Sequence, residues 1–229
     1  MLTLAIDTSS RTISVAFLED EVTRLELFLN TGLYHSSLLV PAIKSSCELL
    51  KVNIEQIDLM VCTSGPGSFT GLRIGMSAIK GFALANHKPI MGVSSLEALA
   101  MNLSDTPAII CPVIDAAQKD LIYTALFTAG EGGLLKRIGK DKLTDMKSLL
   151  REIPENTIFL GNGAIKYADT IRKTLPKNTF SISFQNHLIK ASNVGLIGLR
   201  MFMEGKADDL LLLKPRYLCL SEGEMKSNA

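Results

Sequence analysis

Two stretches of this sequence carry residue types suited to handling a phosphate group. Ala5-Ile6-Asp7-Thr8-Ser9 ends a short apolar run on an acid followed by two hydroxyl side chains. In a tight turn such a set presents backbone N–H groups and hydroxyls to a phosphate, and the carboxylate can hold a metal-bound water. The same residue types are also ordinary turn formers. The second stretch is Gly65-Pro66-Gly67-Ser68-Phe69-Thr70-Gly71-Leu72-Arg73-Ile74-Gly75. Its glycines permit close approach, and it feeds a helix N-terminus, which favours an anion. No Gly-Lys-Ser/Thr follows, so it is not a P-loop. Pro66 and Thr70 stand where a nucleophile elbow around Ser68 would need glycines. A third acid, Asp115, closes the later run Pro112-Val113-Ile114-Asp115. Asp7, Thr8, Ser9 and Asp115 are therefore the candidate nucleotide-binding residues, provided two halves of the chain bring both acids to one cleft.

The rest of the catalytic inventory is thin. His35, His87 and His187 form no HxxxH or HExxH pair, the spacing that sets two imidazoles on one helical face. Cys47, Cys62, Cys111 and Cys219 show no CxxC or zinc spacing and read as reduced thiols of a cytoplasmic protein. No Ser/His/Asp or Cys/His set is visible, so neither a catalytic residue nor a metal site is expected. Composition sets outer limits. The chain has 229 residues, 47% of them hydrophobic, with 24 basic and 23 acidic side chains. That suffices for a sizeable core and argues against a generally basic nucleic-acid binder. Residues 1–104 carry 7 basic and 9 acidic side chains and residues 105–229 carry 17 and 14. No apolar run reaches the roughly 20 residues of a bilayer span; the longest, Leu59 to Leu72, is broken by Gly65-Pro66-Gly67. The N-terminus meets Asp7 with no basic residue before it, unlike a signal peptide.

The elements that position these residues follow from periodicity. Leu2–Ile6, Thr12–Leu18 and Val22–Leu29 read as an antiparallel meander. Leu33–Leu50 has a helical period with Pro41 inside it, which predicts a kink or a late start. Asp58–Cys62 reads as a strand, Gly71–Ala85 as a helix, and Lys88–Val93 as a strand before a helix capped by Ser94 or Ser95. Asp105-Thr106-Pro107 marks a boundary, after which strand, acid, turn and strand recur: Ala108–Ile114, Leu121–Thr128, Leu135–Ile138. Asp145–Arg151, Ala164–Leu175 and Asn193–Lys206 read as helices, Thr157–Leu160 as a strand, and Glu222–Ala229 as a disordered tail. A repeated meander-plus-helices unit predicts a duplicated α/β fold with lobes at 1–104 and 105–229, the architecture of actin, sugar kinases and Hsp70; the alternative is a single α/β domain with one long sheet. Small residues also mark one helix: Gly71 and Gly75 sit one turn apart, and Ser77, Gly81 and Ala85 follow at four-residue spacing. Such a face lets a second helix come close.

Ala5-Ile6-Asp7-Thr8-Ser9, the Gly65–Gly75 run and Gly92-Val93-Ser94-Ser95-Leu96 together resemble the bacterial TsaB (YeaZ) family. The likeness continues through Pro112-Val113-Ile114-Asp115 and, faintly, Pro215-Arg216-Tyr217-Leu218. The Gly65–Gly75 run is the most specific part. The resemblance implies a two-lobed actin-like ATPase (ASKHA, ribonuclease H-like) fold. It also implies a place in making N6-threonylcarbamoyladenosine at position 37 of tRNAs that read codons beginning with A. In that family this subunit is not the transferase. It pairs with a TsaD-type paralogue that carries the metal-binding histidines; a TsaE-type ATPase joins them, and a separate synthase supplies the threonylcarbamoyl-adenylate. ATP is used by the complex, any nucleotide binding by this subunit being weak, and tRNA is reached indirectly. The family pairs through the first two helices of the N-terminal lobe, here Tyr34–Leu50 and Gly71–Ala85. The expected interface is Leu38, Leu39, Ala42, Ile43, Gly71, Ile74, Gly75, Ala78 and Phe82, a surface that also serves self-association as a homodimer. One departure is clear. The family commonly reads Ile-Asp-Ala-Arg at the start of the second lobe, where this chain reads Ile114-Asp115-Ala116-Ala117; the arginine's role does not carry over. The expectation is a non-catalytic activator of a TsaD-type transferase. The alternatives are a small actin-like ATP-dependent phosphotransferase acting alone through Asp7 and, more distantly, a peptidase.

Overall fold

The structure, a computed structural model, describes residues 1–30, 35–154, 156–175 and 184–218. The expected helix start at Leu33 and Tyr34 and the expected tail from Glu222 lie outside the described residues. The chain divides into two compact units, Met1–Ala98 with Ile189–Pro215, and Leu99–Leu188 with Arg216–Ala229.

The first unit is built on a five-stranded sheet. Strands β1 (Leu2–Asp7), β2 (Ile13–Glu19) and β3 (Val22–Leu29) form the predicted antiparallel meander, and β4 (Leu59–Gly65) and β5 (Ile90–Ser94) run parallel to β1 in the order β3-β2-β1-β4-β5. Strand β1 is apolar on both faces because both are covered. Leu4 and Ile6 enter a core with Val15, Phe17, Met60 and Cys62, closed by helices α1 (His35–Leu50) and α2 (Phe69–Asn86). Pro41 sits inside α1, which neither stops nor restarts there. Ser68 caps α2, its hydroxyl accepting the Gly71 N–H at 3.2 Å. His87 ends the helix in the left-handed region at φ 52°. Helix α3 (Ser95–Ala100) follows β5.

The opposite face is covered by a helix placed elsewhere by the sequence pattern. The stretch assigned to the second lobe returns to the first unit as α7 (Ala191–Met203). The 105–229 boundary is corrected accordingly. A Cβ on Gly195 would lie 2.4 Å from Leu18, and one on Gly198 2.4 Å from Val61, so only glycine lets α7 lie this close to the sheet. Ser14 Oγ accepts the Ala191 N–H at 2.9 Å, and Glu26 accepts from Ser192 N and Oγ at 3.0 and 2.9 Å. That carboxylate also opposes the positive end of the helix dipole.

The second unit repeats four of the first unit's five strands. Its sheet has the order β8-β7-β6-β9, from β6 (Ile109–Asp115), β7 (Leu121–Ala129), β8 (Leu135–Asp145) and β9 (Thr157–Leu160). Strands β6, β7 and β8 form an antiparallel meander, and β9 runs parallel to β6. This is the β3-β2-β1-β4 connectivity again, as the duplicated pattern predicts. Its core joins Cys111, Val113, Ile122 and Phe159 to Met146, Leu149 and Leu150 of α4 (Met146–Glu152), Ala164 of α5 (Asn162–Lys166) and Ile171 of α6 (Ala168–Thr174). The single helix expected at 164–175 is split at Tyr167. Strand β8 runs seven residues beyond the expected Ile138.

Candidate functional site

The two glycine- and acid-bearing motifs form one structure. Asp7 ends β1 and is fully buried. Its Oδ1 accepts from Ser9 N at 3.1 Å, Ser9 Oγ at 2.6 Å and Thr63 Oγ1 at 2.8 Å. Its Oδ2 is buried and, among the described residues, has no hydrogen-bond partner. Burial pushes the carboxyl up from the ordinary aspartate range, and the donors from Ser9 and Thr63 pull it back. Thr8 Oγ1 donates to Gly71 O at 2.7 Å, and Ser68 N donates to Ser9 O at 2.7 Å. The turn after β1 therefore lies directly on the first two turns of α2. A Cβ at Gly71 would stand 2.0 Å from Thr8 O, at Gly75 2.2 Å from Thr8 Oγ1, and at Gly67 2.4 Å from Ser9 O. These glycines are the space that the Thr8-Ser9 turn fills, and both hydroxyls are engaged, that of Thr8 with Gly71 O and that of Ser9 with Asp7. What remains for chemistry is a single buried acceptor, Asp7 Oδ2.

Asp115 is placed in the second unit, half-buried at the end of β6. Lys166 Nζ donates to both its oxygens, at 3.0 and 3.1 Å, and that contact holds the lysine above its usual range. Asn162 Oδ1 accepts the Asp115 N–H at 3.0 Å. Lys166 is a residue the sequence reading missed. It lies 51 positions from Asp115, and no motif marks it. Where the family arginine is absent, Ala117 takes a left-handed φ of 55°. The Gly161-Asn162-Gly163 loop also serves its own unit: Gly161 N donates to His187 Nδ1 at 3.0 Å, and a Cβ on Gly163 would meet Val113 at 2.7 Å. Among the described residues no group of three or more His, Cys, Asp or Glu side chains is placed to hold a metal ion.

The α1–α2 surface is a different arrangement from the one expected. Leu39, Ala42, Ile43, Gly71 and Gly75 are buried in the core of this chain, and Leu38, Ile74, Ala78 and Phe82 are half-buried against it. Five of the nine residues expected to meet a partner thus face inward, and the other four keep part of their surface exposed. The outer face of α2 carries Thr70, Ser77, Gly81, Leu84 and Ala85, with Arg73 stacked over Phe69 at 3.8 Å. Leu84 is 61% exposed, and a Cβ on Gly81 would meet nothing within 4 Å. On α1 the outward apolar groups are Val40 at 48% and Leu49 at 76% exposed. A cavity of about 630 Å³ opens beside Phe82, with Val40, Lys44, Cys47, Glu48 and Ile54 in its lining.

Comparison with known proteins sets this geometry in a lineage. The family model for TsaD, tRNA N6-adenosine threonylcarbamoyltransferase, matches residues 31–199. The tRNA threonylcarbamoyladenosine biosynthesis protein TsaB of Bacillus subtilis is 32% identical over 229 residues, covering 99% of this chain and 97% of its own. Among solved structures, YeaZ from Pseudomonas aeruginosa superposes with a TM-score of 0.79 at 23% identity, over 94% of this chain and 100% of that one. The (R)-2-hydroxyglutaryl-CoA dehydratase component A of Acidaminococcus fermentans superposes with a TM-score of 0.53 at 11% identity, over 87% of this chain and 98% of that one. The fold is the actin-like ATPase fold, and the similarity runs through the second half as well as the first.

Proposed function

This chain belongs to the TsaB (YeaZ) family of tRNA threonylcarbamoyladenosine biosynthesis proteins, and we propose that it serves that pathway as a docking subunit rather than as the transferase. Its partner is a TsaD-type paralogue. One observation carries this reading: the exposed face of α2 carries the small residues Ser77, Gly81 and Ala85 at four-residue spacing next to the exposed Leu84, and α1 exposes the apolar Val40 and Leu49. A helix pair with such a face packs closely against another helix pair. The match to a TsaD family model over residues 31–199 supports a partner with the same helix pair. Within the assembly the transferase supplies the chemistry at position 37 of tRNA, a TsaE-type ATPase uses the ATP, and the same face pairs two copies when the paralogue is absent. The residues engaging the partner are the outer ones, with Ile74, Ala78 and Phe82 supporting them from beneath.

A second reading, a phosphotransferase acting alone, has the free Oδ2 of Asp7 in its favour; ATP turnover by the isolated chain, lost in Asp7→Ala, would support it. The docking reading is tested with purified components. Omitting this chain is expected to abolish or sharply reduce tRNA modification. Gly81→Arg places a large cation on the open face without touching the core. It is expected to weaken heterodimer formation by about 100-fold, roughly 2.7 kcal/mol. Unchanged affinity by calorimetry would show that partners dock elsewhere.

A further inference from the structure

The positive charge of the second half is concentrated in one place. Residues 105–229 carry 17 basic and 14 acidic side chains; residues 135–152, which form β8 and α4, carry 6 and 3. The whole excess lies in that strand and helix, while the rest of the chain carries 18 basic and 20 acidic groups. The three acids in the segment are already engaged. Asp141 pairs with Arg137, Glu152 accepts Lys142 Nζ at 2.6 Å, and Asp145 accepts Ser148 N and Oγ at 3.0 and 2.6 Å as the cap of α4. Lys136, Lys140, Lys147 and Arg151 are exposed, and among the described residues none of them forms an ion pair. Strand β8 is the outer strand of its sheet. Lys136, Ile138 and Lys142 lie opposite Thr128, Leu126 and Thr124 on one face, and the Lys142–Glu152 contact joins that face to α4.

Lysines on an edge strand often serve only to keep other strands away. Here the cations continue onto α4, which has no open strand edge to guard. We propose that the β8–α4 face holds the phosphate backbone of tRNA, so that this subunit contacts the RNA itself. The inference rests on the reading that the chain works within a tRNA-modifying assembly. Lysines act on phosphates as point charges, and each contact made displaces condensed counterions. Such contacts position the RNA without reading its sequence.

The test uses the complete set of purified components and an unmodified transcript of a tRNA with adenosine at position 37. The variant is Lys136→Glu/Lys140→Glu/Lys147→Glu; a matched Lys→Gln triple keeps side-chain size without reversing charge. The Glu triple is expected to raise KM for tRNA about tenfold with kcat within about twofold, and to flatten the slope of log KM against log salt by about two to three. The Gln triple falls between it and wild type, and two tRNAs of different sequence respond alike. A KM and salt slope equal to wild type, in an assembly that still forms, would overturn the proposal. So would aggregation of the variant with a normal KM in the assembly that remains, which is the signature of an edge guard. The arm that omits the chain judges the docking reading separately: modification undiminished there would overturn both.

Discussion

Two alanine substitutions in the same helix are expected to have opposite signs. In an unconstrained helix, Gly→Ala stabilises by about 1 kcal/mol, because glycine loses more backbone freedom on folding. At Gly81 nothing lies within 4 Å of the added methyl. Gly81→Ala should therefore gain roughly 0.8 kcal/mol, and at about 2–4 °C per kcal/mol raise Tm by about 2–3 °C. At Gly71 the methyl would stand 2.0 Å from Thr8 O, well inside van der Waals contact and against backbone that cannot rotate away. Relief requires moving the Thr8-Ser9 turn by about 1 Å, at the upper end of the roughly 1–3 kcal/mol typical of overpacking. The movement also breaks the 2.7 Å bond from Thr8 Oγ1 to Gly71 O, worth about 1 kcal/mol. Set against the helix gain of about 1 kcal/mol, the net loss is about 3 kcal/mol, or a Tm lower by roughly 6–12 °C. Thermal unfolding of the two variants beside wild type decides it. A Gly71→Ala protein as stable as wild type would refute the claim that these glycines exist to seat the turn after β1.

Asp7→Asn should change how stability depends on pH, because it removes a carboxylate that burial disfavours, although its amide N–H2 replaces an oxygen that has no partner among the described residues. An acid whose folded-state pKa is raised binds its proton more tightly when folded. Its cost is therefore absent below the unfolded pKa and grows as pH rises through the folded one. The Tm of the variant relative to wild type should rise with pH and be lowest in acid; a difference independent of pH would contradict this. Alkylation should separate the described cysteines. Burial pushes the Cys62 and Cys111 thiols up to about 12, so neither should react with iodoacetamide at pH 8 until the chain unfolds. Cys47 lines an open cavity and should be labelled first among the three. Peptide mapping that found Cys62 or Cys111 modified in the native protein would count against the fold described. Finally, Lys166→Met should leave the Asp115 carboxylate without its bidentate partner. Because the pair is partly exposed, the loss should stay within about 1 kcal/mol in urea unfolding; a loss several times larger would mean that the pair organises the β6–α5 junction.

Local pattern carried much of this molecule. Short apolar runs closed by Asp7 and Asp115 marked the first strand of each unit, and their repetition implied the duplicated connectivity that the two sheets show. The helices over 71–85 and 145–151 were legible from their period, while their caps, Ser68 and Asp145, came from the structure. The Gly65–Gly75 run announced close backbone approach and, with Ala5–Ser9, the family. The tertiary structure decided what approaches what. A period of 3.6 tells which residues share a helix face, but a helix apolar on two sides does not say which side goes inward. Leu39, Ile43, Gly71 and Gly75 fell on the inner side, where β1 and its turn meet the helices, and Ser77, Gly81 and Leu84 were left outside. Likewise 193–206 read as a helix, yet nothing local stated that Gly195 and Gly198 would seat against Leu18 and Val61 of the first sheet. Pairings between residues distant in sequence, such as Lys166 with Asp115, depend on how sheets and helices close upon one another, and sequence spacing does not encode that closure.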